Sequence, residues 1–369
     1  MTHPSDHRCM ARALQLAQRG LYTTDPNPRV GCVLAREGEI VGEGWHQRAG
    51  EAHAEVLAIK DAGDQARGAT AYVSLEPCNH QGRTPPCTEA LVKAGVARVV
   101  IASKDPNPQA NHGASQRLKE AGIEVQSGVM EAEALTLNPG YISRMIRSRP
   151  WVRIKMAASL DGRTAMASGE SKWITSAAAR EDVQYWRARS SAILTGVGTV
   201  LADDPSLNVR LDDAERQPLR VIVDSHLSTP DTAKLFASAG GVLIVTTSED
   251  KNYSERLRSA GAEVMLLSAS TGGVDLADMM VRLGQQEINE VMVEAGATLA
   301  GALLTANLVD ELIVYLAPHL MGNQARGMFN LAAIEQLADR VALDIVDVRP
   351  VGRDWRIQAK IVRSASRGG

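Results

Sequence analysis

Gly50-Glu-Ala-His-Ala-Glu55, followed by Leu75-Glu-Pro-Cys-Asn-His-Gln-Gly-Arg-Thr-Pro-Pro-Cys87, is the stretch on which the reading of this chain turns. It brings together one imidazole, His53, and two thiols, Cys78 and Cys87, the donors that suit zinc. Three protein ligands leave one tetrahedral position open, as a catalytic zinc requires. Water at such a position loses a proton near neutral pH and becomes a nucleophile. A carboxylate that does not ligate must then carry protons to the leaving group, and Glu55 fits that role. In mid-helix His53 and Glu55 would point apart, but in a first turn both reach a group off the helix end, so a helix is expected over 52–62. Cys87 opens a second expected helix, over 88–93, whose N-terminus favours a thiolate. Singly, these residues read as a helix cap and buried thiols. Together, with a proline before each cysteine, they point to catalytic zinc. Cys9 and Cys32 could in principle close the site, but Cys32 lies in the apolar run 30–34 and reads as core.

Outward from this stretch, short apolar strands alternate with helical patterns. Strands are expected at 30–35, 40–45, 70–75, 98–103 and 123–126, with further helices at 11–18 and 115–121. That pattern implies an α/β unit with a buried sheet between helices. It breaks at Asn138-Pro139-Gly140, read as turn chemistry, and the boundary is placed near 148. Strand–helix alternation then restarts at 151–157, so the chain reads as two α/β domains, 1–147 and 148–369.

The 369 residues carry 40 Lys+Arg against 43 Asp+Glu and only 4% aromatics. A net charge near −3 excludes the basic footprint of a dedicated nucleic-acid binder, and so few aromatics leave no single-strand stacking platform. No apolar run is long enough for a membrane span, and the N-terminus lacks the pattern of a signal peptide. Four cysteines are too few for a disulfide scaffold, so a cytoplasmic location is expected.

His-x-Glu with Pro-Cys is the signature of nucleobase deaminases, except that eight residues, not two, separate the cysteines here. The 75–87 stretch, Pro26-Asn-Pro-Arg-Val-Gly31 and the 50–55 stretch resemble the bifunctional deaminase/reductase family of riboflavin biosynthesis. The resemblance runs on through Asp161-Gly-Arg-Thr-Ala165 and Leu201-Ala-Asp-Asp-Pro205 to Glu294-Ala-Gly296, covering nearly the whole chain. It implies a cytidine-deaminase-like α/β/α domain over 1–147 and a dihydrofolate-reductase-like α/β domain over 148–369. It further implies zinc and NADPH as cofactors, a phosphoribosylaminopyrimidine substrate and a homo-oligomer.

Within the first domain, Asn27 has an amide suited to a pyrimidine edge, and His46 is a further pocket candidate. His80 and Arg83, in the long inter-cysteine loop, could meet a phosphate. Their blander readings are a turn-stabilising amide and solvated side chains.

The second domain contains no cysteine, no Gly-x-Gly-x-x-Gly after its first strand and no P-loop lysine motif. Its one local signal is Glu290-Val-Met-Val-Glu-Ala-Gly-Ala-Thr-Leu-Ala-Gly301, a strand, a glycine turn and a helix start that offers free N–H groups to an anion. By the resemblance, Ala157, Trp173, Thr199, Asp203, Ser225 and Gly296, Ala297, Thr298, Leu299, Ala300, Gly301 and Ala302 hold the nicotinamide cofactor. Ser171, Arg187, Leu207, Arg210 and Glu294 hold the substrate. Chemistry supports several of these: Arg187 and Arg210 can fork onto a phosphate monoester, and Trp173 can stack on a ring. The alternatives are a core Trp173 and an Arg187 paired with Glu181 or Asp182. Lys155, Thr246 and Thr247 are minor candidates.

Two other functions compete: a tRNA or nucleoside deaminase with a binding-only second domain, and a non-enzymatic module built on closed zinc. The charge and the eight-residue loop oppose the first, and the second leaves Glu55 without a purpose.

Overall fold

The computed structural model describes residues 4–81, 85–108, 113–270 and 272–363. The chain divides into two compact units, Met1–Ser148 and Arg149–Gly369.

In the first unit, five strands form a sheet in the order β2-β1-β3-β4-β5: β1 (Gly31–Arg36), β2 (Glu39–Trp45), β3 (Thr70–Leu75), β4 (Arg98–Ser103) and β5 (Glu124–Ser127). β1 runs antiparallel to both neighbours, whereas β3, β4 and β5 are parallel. Helices α1 (Pro4–Gln18) and α5 (Glu131–Leu137) cover one face, burying Met10, Ala13, Leu16 and Ala134 against Val33, Tyr72 and Val100. Helices α2 (Ala54–Ala62), α3 (Cys87–Ala94) and α4 (Ala114–Glu120) cover the other, burying Ala54, Ala58, Leu91 and Leu118 against Leu34, Val73 and Ile101. The alternation of apolar residues along each strand thus serves two cores.

The α2 face is an alanine stripe, Ala54, Ala58 and Ala62, seated on glycines of β2. A Cβ at Gly44 would stand 2.4 Å from the Ala54 carbonyl oxygen, so only glycine admits this approach. That contact fixes where α2 begins. The turn expected at 138–140 is instead the start of α6 (Pro139–Arg147), with the proline in its first turn, where a missing N–H costs nothing.

In the second unit the main strands are β6 (Trp151–Ser159), β8 (Ala192–Gly196), β9 (Leu219–Val223), β10 (Val242–Thr246), β11 (Ala262–Leu266), β14 (Glu290–Val293), β15 (Glu311–Ala317), β17 (Leu343–Val351) and β18 (Asp354–Ile361). Short pairs join β7 (Arg163–Ala165) to β16 (Arg326–Gly327), and β12 (Ala269–Ser270) to β13 (Gly273–Val274). The nine-stranded sheet runs β11-β10-β9-β8-β14-β6-β15-β18-β17, parallel through β15 and antiparallel in the last two pairings. Helices α10 (Leu276–Gln285) and α11 (Ala297–Thr305) close the larger core over Ile154, Val221, Val245 and Val293. On the opposite face lie α7 (Ala177–Arg189), with Val183 and Trp186 on Met292 and Ile313, and α9 (Lys251–Ser259), with Leu257 on Ile222 and Ile244. α8 (Val197–Asp203) follows β8.

The α7 face also buries charge. Arg153 bonds Glu290 at 3.0 Å and Glu311 at 2.7 Å and lies over the Trp186 ring at 5.0 Å, so neither the cation nor its partners are left unpaired in the interior.

Candidate active sites

His53 is the N-cap residue of α2 and Glu55 lies in that helix's first turn, while Cys87 opens α3. Cys78 follows the carboxyl end of β3, the end at which parallel sheets place their sites. One ligand atom from each of His53, Cys78 and Cys87 lies within 4.8 Å of the others. His53 Nδ1 stands 3.2 Å from Cys87 Sγ and 3.5 Å from Cys78 Sγ. The Cys87 backbone N–H donates to Cys78 Sγ at 3.4 Å, which is the bond a thiolate at a helix start accepts. Hydrogen bonds from Cys87 and His53 hold the Cys78 thiol well below its ordinary value despite its burial, and the Cys87 thiol is pushed up by its bond to Cys78 and by burial. Cys9 and Cys32 are buried free thiols outside this cluster.

Glu55 is 3% exposed. Burial pushes its carboxyl above the ordinary glutamate value, against the opposing charge of His53. A buried carboxyl that is not one of three clustered donors is placed to hold a proton beside them.

Around this cluster the long loops are pinned. Thr88 Oγ1 donates to Asn79 Oδ1 at 2.7 Å, and Ser115 Oγ to Glu76 Oε1 at 2.7 Å. Asn27 and His46 meet: Asn27 Nδ2 lies 3.0 Å from His46 Nε2, and the His46 ring stands edge-on to His53 with centroids 5.3 Å apart. His80 is exposed, and Arg83 lies outside the described residues. Asp105, in an Asp-Pro-Asn-Pro stretch of turn-forming residues, is buried just beyond the end of β4. Its carboxylate accepts from Tyr141 Oη at 2.9 Å, and burial raises its pKa to about 6. Its Asp-Pro-Asn-Pro setting hid this, because the burying partner comes from α6.

In the second unit, a cavity of about 1590 Å³ opens along the carboxyl ends of β6, β8 and β14. The cofactor and substrate residues expected there line it, with two exceptions. Ala300 is fully buried in the α10–α11 core. Gly301 also turns away, and its missing side chain makes room for the Asn330 carbonyl, 2.1 Å from an ideal Cβ. Both belong to α11, whose rotation carries them off the cavity face while Gly296, Ala297, Thr298, Leu299 and Ala302 stay on it.

The polar floor of the cavity is a buried cluster. Arg187 Nε and Nη2 grip Glu294 at 2.6 and 3.0 Å, a third Arg187 nitrogen donates to the Asn208 carbonyl at 2.9 Å, and Lys155 Nζ lies 3.4 Å from Glu294. Burial alone would raise the Glu294 pKa, but Arg187 and Lys155 bring it down to about 2. Arg187 thus spends its fork on Glu294, not on Glu181 or Asp182, while the exposed Arg210 also lines the cavity. Lys155 gains a place on the floor because it alternates with core residues Ile154 and Met156.

Trp173 is not core. It is 69% exposed at the rim, with the Arg180 guanidinium 4.5 Å from its ring centroid. Ser225 lines the cavity and its Oγ accepts from the Val274 N–H at 3.3 Å. Thr246 and Thr247 both donate to the Ser225 carbonyl and are not among the lining residues of this cavity.

Both units have counterparts among known proteins. Residues 3–103 match the family described as Cytidine and deoxycytidylate deaminase zinc-binding region, and residues 150–357 match the RibD C-terminal domain. The chain is 52% identical over 362 residues to riboflavin biosynthesis protein RibD of Escherichia coli (strain K12), covering 95% of this chain and 97% of that one. The protein of the same name from Haemophilus influenzae is 47% identical, with 94% and 95% coverage. Among solved structures, RibD of Acinetobacter baumannii superposes with a TM-score of 0.90 at 46% identity, covering 97% of this chain and 99% of that chain. A deaminase/reductase from Thermotoga maritima reaches 0.87 at 32% identity, with the same coverages. With a cytidine-deaminase-like first unit, a dihydrofolate-reductase-like second unit and relatives matched over almost their full length, the chain belongs to the bifunctional deaminase/reductase family of riboflavin biosynthesis.

Proposed function

We propose that residues 1–147 deaminate a diaminohydroxyphosphoribosylaminopyrimidine and that residues 148–369 reduce the resulting 5-amino-6-(5-phosphoribosylamino)uracil, the two activities named for the Thermotoga maritima relative. The reduction draws on NADPH and turns the ribosyl group into a ribityl chain. The observation that carries the reading is the trio His53, Cys78 and Cys87 with buried Glu55 two residues from His53. One imidazole and two thiols fit zinc, which when bound supplies Lewis acidity that makes water a nucleophile near neutral pH. Glu55 moves the protons. It accepts one from the attacking water and delivers it to the amino group, which leaves as ammonia while the ring carbon keeps the oxygen. His46 borders the same imidazole and holds the side chain of Asn27, whose amide seats the pyrimidine; His80 and Arg83 belong to the loop that would meet its phosphate.

For the second step, the cavity is large enough for a dinucleotide and a sugar phosphate side by side. NADPH supplies the hydride. The first turn of α11, from Gly296, offers N–H groups to its phosphates, and Trp173, Thr199, Asp203, Ser225 and Ala157 border the remainder. Glu294, oriented by Arg187 and Lys155, is a fixed acceptor for ribosyl hydroxyls, with Ser171 and Leu207 beside it and Arg210 for the 5′-phosphate.

The test is metal removal. Dialysis against a chelator is expected to abolish ammonia release and leave NADPH-dependent reduction of supplied 5-amino-6-(5-phosphoribosylamino)uracil intact, with zinc restoring the first activity. Ammonia release that survives complete metal loss contradicts the reading.

The chain is also proposed to act as a homo-oligomer, in the cytoplasm, where its four free thiols stay reduced. No helix among the described residues is long and apolar enough to cross a membrane. Support for oligomerisation comes from the β17–β18 hairpin. Its pairing puts Leu343, Ile345, Val348 and Trp355 on one face with Ile357 and Ala359, and Ile345 is 60% exposed. An apolar sheet face of this kind marks an interaction surface. Sedimentation is expected to give a dimer or larger for the wild type and a monomer for I345D/V348D; a monomeric wild type contradicts this.

A further inference from the structure

His46 is 3% exposed, so it offers a substrate almost no surface of its own. Its two ring nitrogens are nevertheless both engaged. Nδ1 lies 3.2 Å from the Ala52 carbonyl oxygen, and Nε2 lies 3.0 Å from Asn27 Nδ2. A carbonyl oxygen only accepts, so Nδ1 carries the proton. In the neutral ring Nε2 is then a lone pair, and it accepts from the Asn27 amide N–H. This fixes an orientation that the amide cannot choose for itself. With its nitrogen turned to His46, Asn27 presents Oδ1 on the other side, and that oxygen has no partner among the described residues.

The rest of the Asn27 loop is held independently, so the amide torsion is the freedom left to settle. The Asn27 N–H donates to the Thr24 carbonyl at 2.8 Å. Two residues on, the buried Asn138 side chain clamps Arg29, accepting from its N–H at 2.8 Å and donating to its carbonyl at 2.9 Å. The His46 N–H bonds the Val30 carbonyl at 2.9 Å, tying the two segments together. His46 stacks edge-on against His53, so the oriented amide lies beside the metal-ligand cluster.

We infer that His46 is a positioning residue for deamination: through its Nδ1-protonated tautomer it turns the Asn27 amide so that Oδ1 accepts from an N–H or O–H donor of the substrate. The contact with substrate belongs to Asn27, and His46 acts through it. A substrate carrying only an acceptor at that point would face Oδ1 with a lone pair and be rejected, so the arrangement selects for a donor. The substrate part of this inference rests on the deaminase reading above; the tautomer does not.

Two experiments test it, on full-length zinc-loaded protein. In ¹⁵N-histidine-labelled enzyme, with His46 assigned by difference from H46Q, its resonances are expected at the shifts of a neutral ring protonated at Nδ1. Protonation at Nε2 overturns the inference whatever the enzyme deaminates. In steady-state assays of ammonia release, N27A is expected to raise KM about 30-fold and H46A about 10-fold, each with kcat within about threefold, since the bond is made in ground and transition state alike. The double variant should be no worse than N27A, because His46 has nothing to orient once the amide is gone. KM effects that multiply, or an H46A enzyme with wild-type KM, overturn the inference. Zinc is measured on each variant, and if H46A loses the metal the tautomer result decides alone. Counterparts of the substrate lacking a ribosyl hydroxyl identify the donor. A KM penalty of N27A that vanishes with one of them assigns O–H, and one that persists with all assigns N–H.

Discussion

Glu55→Gln should bind zinc at the wild-type stoichiometry and release ammonia about 10²- to 10⁴-fold more slowly. Glutamine preserves the side-chain volume at a position that is 3% exposed, so packing in the first turn of α2 is undisturbed. It also leaves His53, Cys78 and Cys87 as they are, and these supply the donor atoms. What it removes is the ability to accept a proton and return it. The loss should fall on kcat with KM nearly unchanged, since the proton moves only in the transition state. His53→Ala separates the roles by losing zinc and ammonia release together. Were Glu55→Gln to retain full turnover with zinc bound, Glu55 would have no part in the proton transfer.

Glu294→Gln is expected to produce the largest stability loss, on the order of 3–5 kcal/mol, together with loss of NADPH oxidation. The carboxylate is buried and gripped by Arg187 at 2.6 and 3.0 Å with Lys155 at 3.4 Å, so a neutral amide leaves two cations without a counter-charge. The cost depends on pH. Glu294 has its pKa lowered from an ordinary 4.5 to about 2, Arg187 and Lys155 outweighing burial. Its contribution is therefore fully present above about pH 4.5 and is lost as pH falls towards 2, amounting to roughly 3 kcal/mol over that window. Unfolding of wild type and variant followed from pH 7 downward should show the gap between them closing below pH 4.5. A gap independent of pH would mean that charge pairing is not what the substitution removes. Ammonia release serves as the internal control, since Glu55 and the cluster of His53, Cys78 and Cys87 are untouched.

The cluster of His53, Cys78 and Cys87 is legible in the sequence because ligation and proton transfer accept few residue types, and because these residues and Glu55 occupy only 35 consecutive positions. What the sequence hid depends on distant partners. Along its own helix Arg187 has Glu181 and Asp182 as neighbouring acids, but its partner Glu294 is 107 residues away on the strand end that α7 covers. Helical rotation took Ala300 and Gly301 off the cavity within a run whose other members stay on it. Asn138-Pro139-Gly140 carries turn residues, yet Asn138 is buried clamping Arg29 and the proline begins α6. β17 is not legible from the sequence, because its pattern makes sense only against β18, with a register shift between Ile345 and Asp347 and an apolar face that the chain itself leaves exposed. The orientation of Asn27 by His46 likewise requires both loops in place before either hydrogen bond exists.

One chain is proposed to perform two steps in a fixed order. That order is tested most directly by giving purified, zinc-replete protein the diaminohydroxyphosphoribosylaminopyrimidine with NADPH and following ammonia and NADPH together. Ammonia is expected first, with NADPH consumed only after it and in no greater amount. NADPH oxidation that precedes or proceeds without ammonia release would contradict the order, and ammonia with no NADPH loss would contradict the role given to the second unit.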